Sequence, residues 1–338
     1  MSDQTKIEWC DATLNAWWGC TKVSDGCKHC YADSWSKRYN RAIWGPKGTR
    51  VEVKSWRSTL NKISKRALAE GRRLKVFVQS MSDTFEGPET MGGVDSENWK
   101  LVSRLRQELL ELIPEHPELD FLLLTKRPEN VLKYGRVGMA WMKDGVPPNA
   151  WVGVSIEGQL TADDRLSKLA KIPAAVRFVS CEPMIGPVDI EPYLRCPECN
   201  YSNADARLHM DHFLCSQRGG LLPPEIHWVI FGGESGPKAR PMHPDWVRSL
   251  RDQCVAANVP FFFKQWGEWL PWMEFSDAHV DDDIESSRYL ACYFEDGKWT
   301  EPEYAGWDSD MPDDTVGRVG KSRAGRMLDG RTWDEVPR

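Results

Sequence analysis

Long apolar runs are missing from this 338-residue sequence: runs such as Phe121–Leu124 and Trp228–Phe231 fall far short of the roughly 18 residues that span a bilayer. A helical membrane protein is excluded. The start, Met-Ser-Asp-Gln-Thr-Lys, has no apolar signal core, so the expectation is a cytoplasmic protein with no membrane partner. Disorder throughout is excluded too, because 41% hydrophobic residues can build a core. Basic residues are scarce in 277–314, where 13 acidic side chains face 2 basic ones and aliphatics are few. That stretch reads as a peripheral acidic loop. Gly320-Lys321-Ser322 lacks the earlier spaced glycine after a strand that a phosphate loop requires, so nucleotide binding by that motif is rejected.

Cysteine, by contrast, is plentiful, and seven of the ten are grouped in a pattern that a reducing compartment turns toward metal or catalysis rather than disulfides. Cys20, Cys27 and Cys30 form one cluster, and Cys196, Cys199 and Cys215 another; Cys181 follows an apolar run. Cys10, Cys254 and Cys292 stand alone and read as structural.

Short, nearly continuous apolar runs recur at Lys75–Ser80, Asp120–Thr125, Ala150–Ser155, Val176–Cys181, His227–Gly232 and Val259–Lys264, with another strand near Leu14–Gly19. Such runs are strands buried on both faces of a parallel sheet. Helical spacing separates them at Ser96–Ile113, Thr161–Ala170 and Pro244–Ala257. Alternating βα units predict an α/β fold, favoured as a partial (β/α) TIM-like barrel, with an open doubly wound sheet as the alternative. The predicted organisation is a first barrel part over 1–194, an inserted module over 195–220, the last barrel part over 221–275, and an acidic loop and tail over 276–338.

Polar and ionisable residues collect where each run ends, the place where parallel α/β folds build sites. Candidate contacts for a cofactor there are Asp83, Lys126, Arg127, Ser155, Glu157, Gly232 and Gly233. Arginine suits bidentate pairing with a carboxylate or phosphate. Candidate catalytic groups are Glu234, Lys264 and Glu268. Any of these carboxylates can equally cap a helix or neutralise a lysine.

The first cluster, Cys20-x₆-Cys27-x₂-Cys30, runs into Tyr31-Ala32 and a helical stretch. Three thiolates fit a [4Fe–4S] cluster that keeps one iron open, or a zinc site with His29 as fourth ligand. Cys-x-x-Cys-Tyr-Ala after the first strand resembles the cluster loop of radical S-adenosylmethionine (radical SAM) enzymes. The six-residue first gap differs from the usual three but is similar to a family of phage- and prophage-encoded three-Cys-motif radical-SAM-like proteins. Further stretches resembling that family are Ile7–Asn15, Val179–Pro183, Gly232–Met242, Phe262–Gly267 and Gly325–Trp333. The resemblance implies a [4Fe–4S] cluster and S-adenosylmethionine as cofactors, radical modification of a substrate, an electron donor, and a three-Cys-motif partner protein. In radical SAM enzymes the second strand end often holds the methionine amino group, which singles out Asp83.

The second cluster, Cys196-x₂-Cys199 followed by His212-x₂-Cys215, reads as a Cys₃His zinc site in an inserted module, with His209 able to replace His212. A second iron–sulfur cluster is the rival. Residues 1–75 carry 16 Lys and Arg against 7 Asp and Glu, interleaved with Trp17, Trp18, Trp35, Trp44 and Trp56. Basic and aromatic interleaving makes nucleic acid a candidate partner. The leading expectation is a radical SAM-like enzyme acting on nucleic acid or a nucleotide. The alternative is a noncatalytic, zinc-stabilised nucleic-acid-binding protein.

Overall fold

The computed structural model describes residues 5–135, 141, 145–194, 226–274, 289–305 and 312–337. The second cysteine cluster, with Cys196, Cys199, His209, His212 and Cys215, lies outside them. The main strands are β1 (Ala12–Leu14), β2 (Leu74–Val78), β3 (Leu119–Thr125), β4 (Ala150–Ser155), β5 (Arg177–Cys181), β6 (Trp228–Gly232) and β7 (Phe261–Gln265). They form one seven-stranded sheet whose spatial order follows the chain order. The registers β1–β2, β2–β3, β3–β4, β4–β5 and β6–β7 are parallel. A doubly wound sheet reverses direction at a switch point, whereas this one is wound one way throughout, as a (β/α) barrel is. β1 and β7 are not neighbours, so the barrel is partial.

The apolar runs become strands because each side chain finds a buried place: β4 is buried along its whole length, as is β6. The first strand is shorter than its sequence suggests. It ends at Leu14, and Trp17–Trp18 then pair antiparallel with Val51–Glu52.

Two compact units divide the chain. The first is Met1–Ser155, Asp163–Ser180 and Pro224–His227. Its helices are α1 (Tyr31–Arg38), α2 (Trp56–Glu70) and α3 (Glu97–Leu112). α3 starts where Ser96 Oγ accepts the Trp99 amide at 3.1 Å, a serine N-cap. It buries Val102, Leu105, Leu109 and Leu110, each worth about 1.5–3 kcal/mol on full burial. α2 went unpredicted, although Trp56, Leu60, Ile63 and Ala67 repeat every three or four residues and are all buried. α5 (Gln159–Leu169), after the five-residue α4 (Val131–Gly135), follows β4.

The second unit is Ile156–Ala162, Cys181–Pro223 and Trp228–Arg338. It holds β6 and β7, and α6 (Pro244–Ala256), which opens with proline in its first turn. A four-stranded antiparallel sheet orders Trp269–Pro271, Val316–Arg318, Tyr289–Cys292 and Glu303–Ala305. Part of the stretch expected as an acidic loop is therefore strand, because Cys292 and Val316 bury against Trp269 and Ala239.

The tail also has a defined place. Asp334 bridges antiparallel to Phe262, the Phe263 amide donates to Trp333 O at 2.8 Å, and Trp228 Nε1 donates to Glu335 O at 2.8 Å. The last residues thereby pair along β7 and cover an edge that would otherwise template aggregation.

Candidate metal centre and strand-end sites

Cys20 follows Gly19, whose φ of +108° suits glycine, and a Cβ there would meet Ile43 O at 2.4 Å. The Gly19 amide donates to Met81 O and the Gly45 amide to Cys20 O, so the thiol leaves β1 on a fixed turn. Cys27 closes a short 3₁₀ turn, and Cys30 immediately precedes α1. All three are thiols outside any disulfide, partly exposed; Cys10, Cys181, Cys254 and Cys292 are likewise in no disulfide and are buried. The isolated cysteines are thus packed in the core.

The loop is held by arginine. Arg50, wholly buried, donates to Glu86 through Nε at 2.9 Å and Nη2 at 2.6 Å. Its Nη1 donates to the carbonyls of Ile43, Gly45 and Gly48, and its Nη2 also reaches Thr21 Oγ1 at 2.8 Å. Asn15 and Gln79 tie β1 to β2: Asn15 Oδ1 accepts the Met81 amide and Gln79 Oε1 accepts the Ala16 amide, each at 2.8 Å. Neither Arg50 nor Glu86 had a motif to mark it.

Asp83 and Arg127 form the second layer. Asp83 Oδ1 accepts from Phe85 N at 2.9 Å and Thr125 Oγ1 at 2.8 Å. Its Oδ2 accepts from Lys126 N at 3.2 Å and Arg127 Nη1 at 2.8 Å. Arg127 Nη1 also donates to Cys20 Sγ at 3.8 Å, and Nη2 to Thr21 O at 2.7 Å. Lys126 Nζ donates to Ser155 Oγ at 2.5 Å, and Ser155 O accepts from Arg165 Nη1 at 2.6 Å. The structure therefore brings Asp83, Arg127 and Cys20 together, and separately Lys126 and Ser155.

Charge follows this geometry. Burial works against an ionised Asp83, but Arg127 and three hydrogen bonds outweigh it and hold its carboxyl below the ordinary range. Burial likewise opposes the Arg127 charge, yet Asp83, Cys20 and Glu86 keep it firmly protonated. Burial, helped by Glu86, pushes the Cys20 thiol up against the pull of Arg127. The Cys30 thiol is raised by burial as well, with the amides of Asp33 and Ala32 acting the other way. Thiols of this kind become thiolates when a metal coordinates them.

The donor set fits a multi-iron cluster better than one small ion. Among the described residues, the only group of three or more His, Cys, Asp or Glu with ligand atoms mutually within 4.8 Å is His243, Asp245 and Asp314. Cys20, Cys27 and Cys30 thus do not all fall within that distance. Three thiolates around one zinc, each at about 2.3 Å, would stand closer together than that. One thiolate per iron spreads the sulfurs over the corners of a cluster.

In the second unit, Lys264 Nζ donates to Glu182 Oε1 at 2.6 Å, both side chains largely shielded. Glu182, within the family-like stretch Val179–Pro183, lies against Gly232, where a Cβ would meet its Cδ at 3.4 Å. β6 carries a register shift between Phe231 and Gly232, the kind of irregularity that re-aims a strand end. The glycines serve the chain's own packing: a Cβ on Gly233 would sit 1.9 Å from Trp266 O, and one on Gly267 2.3 Å from Glu234 O. Two loops cross backbone to backbone there.

Glu234 is clasped by Arg240, Oε1 to Nη2 at 2.7 Å and Oε2 to Nε at 2.8 Å. Glu268 Oε1 accepts the Gly236 amide at 2.8 Å. The Glu157 amide donates to Thr161 Oγ1 at 2.9 Å, and Glu157 O accepts from Ile185 N. Lys264 is thereby brought to Glu182, and Glu234 to Arg240.

A family model described as "Protein of unknown function (DUF5131)" matches residues 4–337. No curated protein matches. A solved structure described as "Spore photoproduct lyase complexed with dinucleoside spore photoproduct" is similar at 12% identity and a TM-score of 0.34, covering 87% of this chain and 68% of that one. No helix of the described residues is long and apolar enough to cross a membrane.

Proposed function

We propose that this chain, which belongs to the DUF5131 family, is a radical SAM enzyme that holds a [4Fe–4S] cluster on Cys20, Cys27 and Cys30. The observation that carries this reading is a loop of three free thiols after the first barrel strand whose sulfurs do not close around one ion. When bound, such a cluster together with S-adenosylmethionine supplies a 5′-deoxyadenosyl radical for hydrogen abstraction from substrate.

The chain's own residues would build the receptacle. Arg50 and Glu86 shape the loop, and Asp83 aims Arg127 at Cys20. Lys126, held at Ser155, offers a cation to the cofactor's carboxylate. Separately, in the second unit, Glu182 and Lys264 form an ion pair able to donate and accept a proton. Zinc on Cys196, Cys199, His212 and Cys215, a separate electron donor, and a three-Cys-motif partner belong to the same proposal.

Nucleic acid or a nucleotide is the substrate class we favour. Trp35 meets Trp18 edge to face with ring centroids 5.0 Å apart and lies tilted against Tyr39 at 4.8 Å, and the Arg41 guanidinium lies 5.6 Å from the Trp18 ring centroid. Tyr31, Tyr39, Lys37, Arg38 and Arg41 are exposed around them, a basic and aromatic surface on and beside the helix that follows Cys30.

The test is anaerobic purification of the full chain with iron, sulfide and zinc assayed per polypeptide. About four irons, lost in Cys27→Ala, and release of 5′-deoxyadenosine on reduction with S-adenosylmethionine are the expected results. A folded, colourless protein containing only zinc would overturn the reading in favour of a noncatalytic binding protein.

A further inference from the structure

We infer that Arg127 is a positioning residue that sets the reduction potential of the metal centre through Cys20, with Asp83 holding it in place; this rests on the cluster reading above. Of the three thiols, Cys20 alone among the described residues receives a side-chain hydrogen bond from a cation, Arg127 Nη1 at 3.8 Å. The guanidinium cannot drift. Asp83 Oδ2 accepts from the same nitrogen at 2.8 Å, Thr21 O accepts from Nη2 at 2.7 Å, and Glu86 Oε1 stands 3.9 Å away.

Asp83 is itself held by Thr125 Oγ1 and by the amides of Phe85 and Lys126. Both side chains are less than a tenth exposed, so solvent does little to screen them. The pair is neutral overall, but its positive end faces the sulfur.

An N–H donor on a ligating thiolate withdraws electron density from it, and a nearby positive charge stabilises the more negative, reduced state of a cluster. Both effects raise the potential. The arrangement is also one-sided: the guanidinium would act on a bound cluster through Cys20, the thiol to which it donates.

The experiment compares wild type, Arg127→Lys and the double variant Asp83→Asn/Arg127→Gln, which removes both charges and leaves no lone buried ion. Each full chain is reconstituted anaerobically, assayed for iron, checked by circular dichroism, and titrated electrochemically with the cluster's electron paramagnetic resonance signal as readout. The double variant should keep about four irons and a native spectrum, yet reduce at a more negative potential, with Arg127→Lys between it and wild type. Unchanged potentials at full iron loading would overturn the inference and leave the cluster reading standing. If the double variant does not fold, an unshifted Arg127→Lys overturns it alone. An iron-free, folded wild type would overturn both.

Discussion

Arg50 and Glu86 face one another as a two-pronged ion pair with neither side chain exposed, while Arg50 also gathers the carbonyls of residues 43, 45 and 48. Loss of one member strands a buried charge. Glu86→Gln or Arg50→Met should destabilise the chain by about 3–5 kcal/mol, whereas truncating the exposed pair Lys100–Glu97 should change stability by about 0.5 kcal/mol or less. Denaturant unfolding of the metal-free chain measures both; equal effects would show that the buried pair is not what holds the loop.

Acid should act on Asp83. Its native carboxyl titrates below the ordinary value near 3.8, so its stabilising contribution is complete above that pH and drains away as pH falls toward the native value. Asp83→Asn has no such titration. The unfolding free energies of wild type and Asp83→Asn should therefore differ most near neutrality and converge from about pH 4 downward. A gap that stays constant on acidification would mean the carboxylate's charge is not what Asp83 contributes.

Adjacent glycines should respond differently to the same methyl group. Gly233→Ala drives a carbon to 1.9 Å from Trp266 O, and overpacking of this kind costs about 1–3 kcal/mol or more. Gly232→Ala places it 3.4 Å from Glu182, an ordinary contact, and should leave the melting temperature within about 2 °C of wild type. Differential scanning calorimetry of the two variants decides the point.

Removing residues 331–338 should bare β7. The backbone bonds of Phe263 to Trp333 and of Glu335 to Phe261 would vanish, together with the Phe261–Trp333 ring contact. The truncated chain is expected to melt lower and to scatter light at concentrations where wild type stays clear. Unaltered melting and solubility would mean the pairing contributes nothing to the fold.

The strands and three of the helices were readable because burial on both faces writes an unbroken apolar signature, and because Ser96 and Pro244 mark helix starts. α2 escaped because Lys62, Lys65 and Arg66 interrupt the eye along a face that is regular in three dimensions. The cysteine loop was legible from spacing alone. Its support was not: Arg50 meets Glu86 from 36 positions away, and Arg127 meets Cys20 from 107, distances at which a single sequence carries no pairing signal. Gly233 was visible, but the space its missing side chain leaves is taken by Trp266, on a second loop 33 residues on.

One guanidinium is the common donor for the Ile43, Gly45 and Gly48 carbonyls and for the Glu86 carboxylate. The Gly45 amide in turn holds Cys20 O, so whatever loosens Arg50 loosens the ground beneath the first thiol as well.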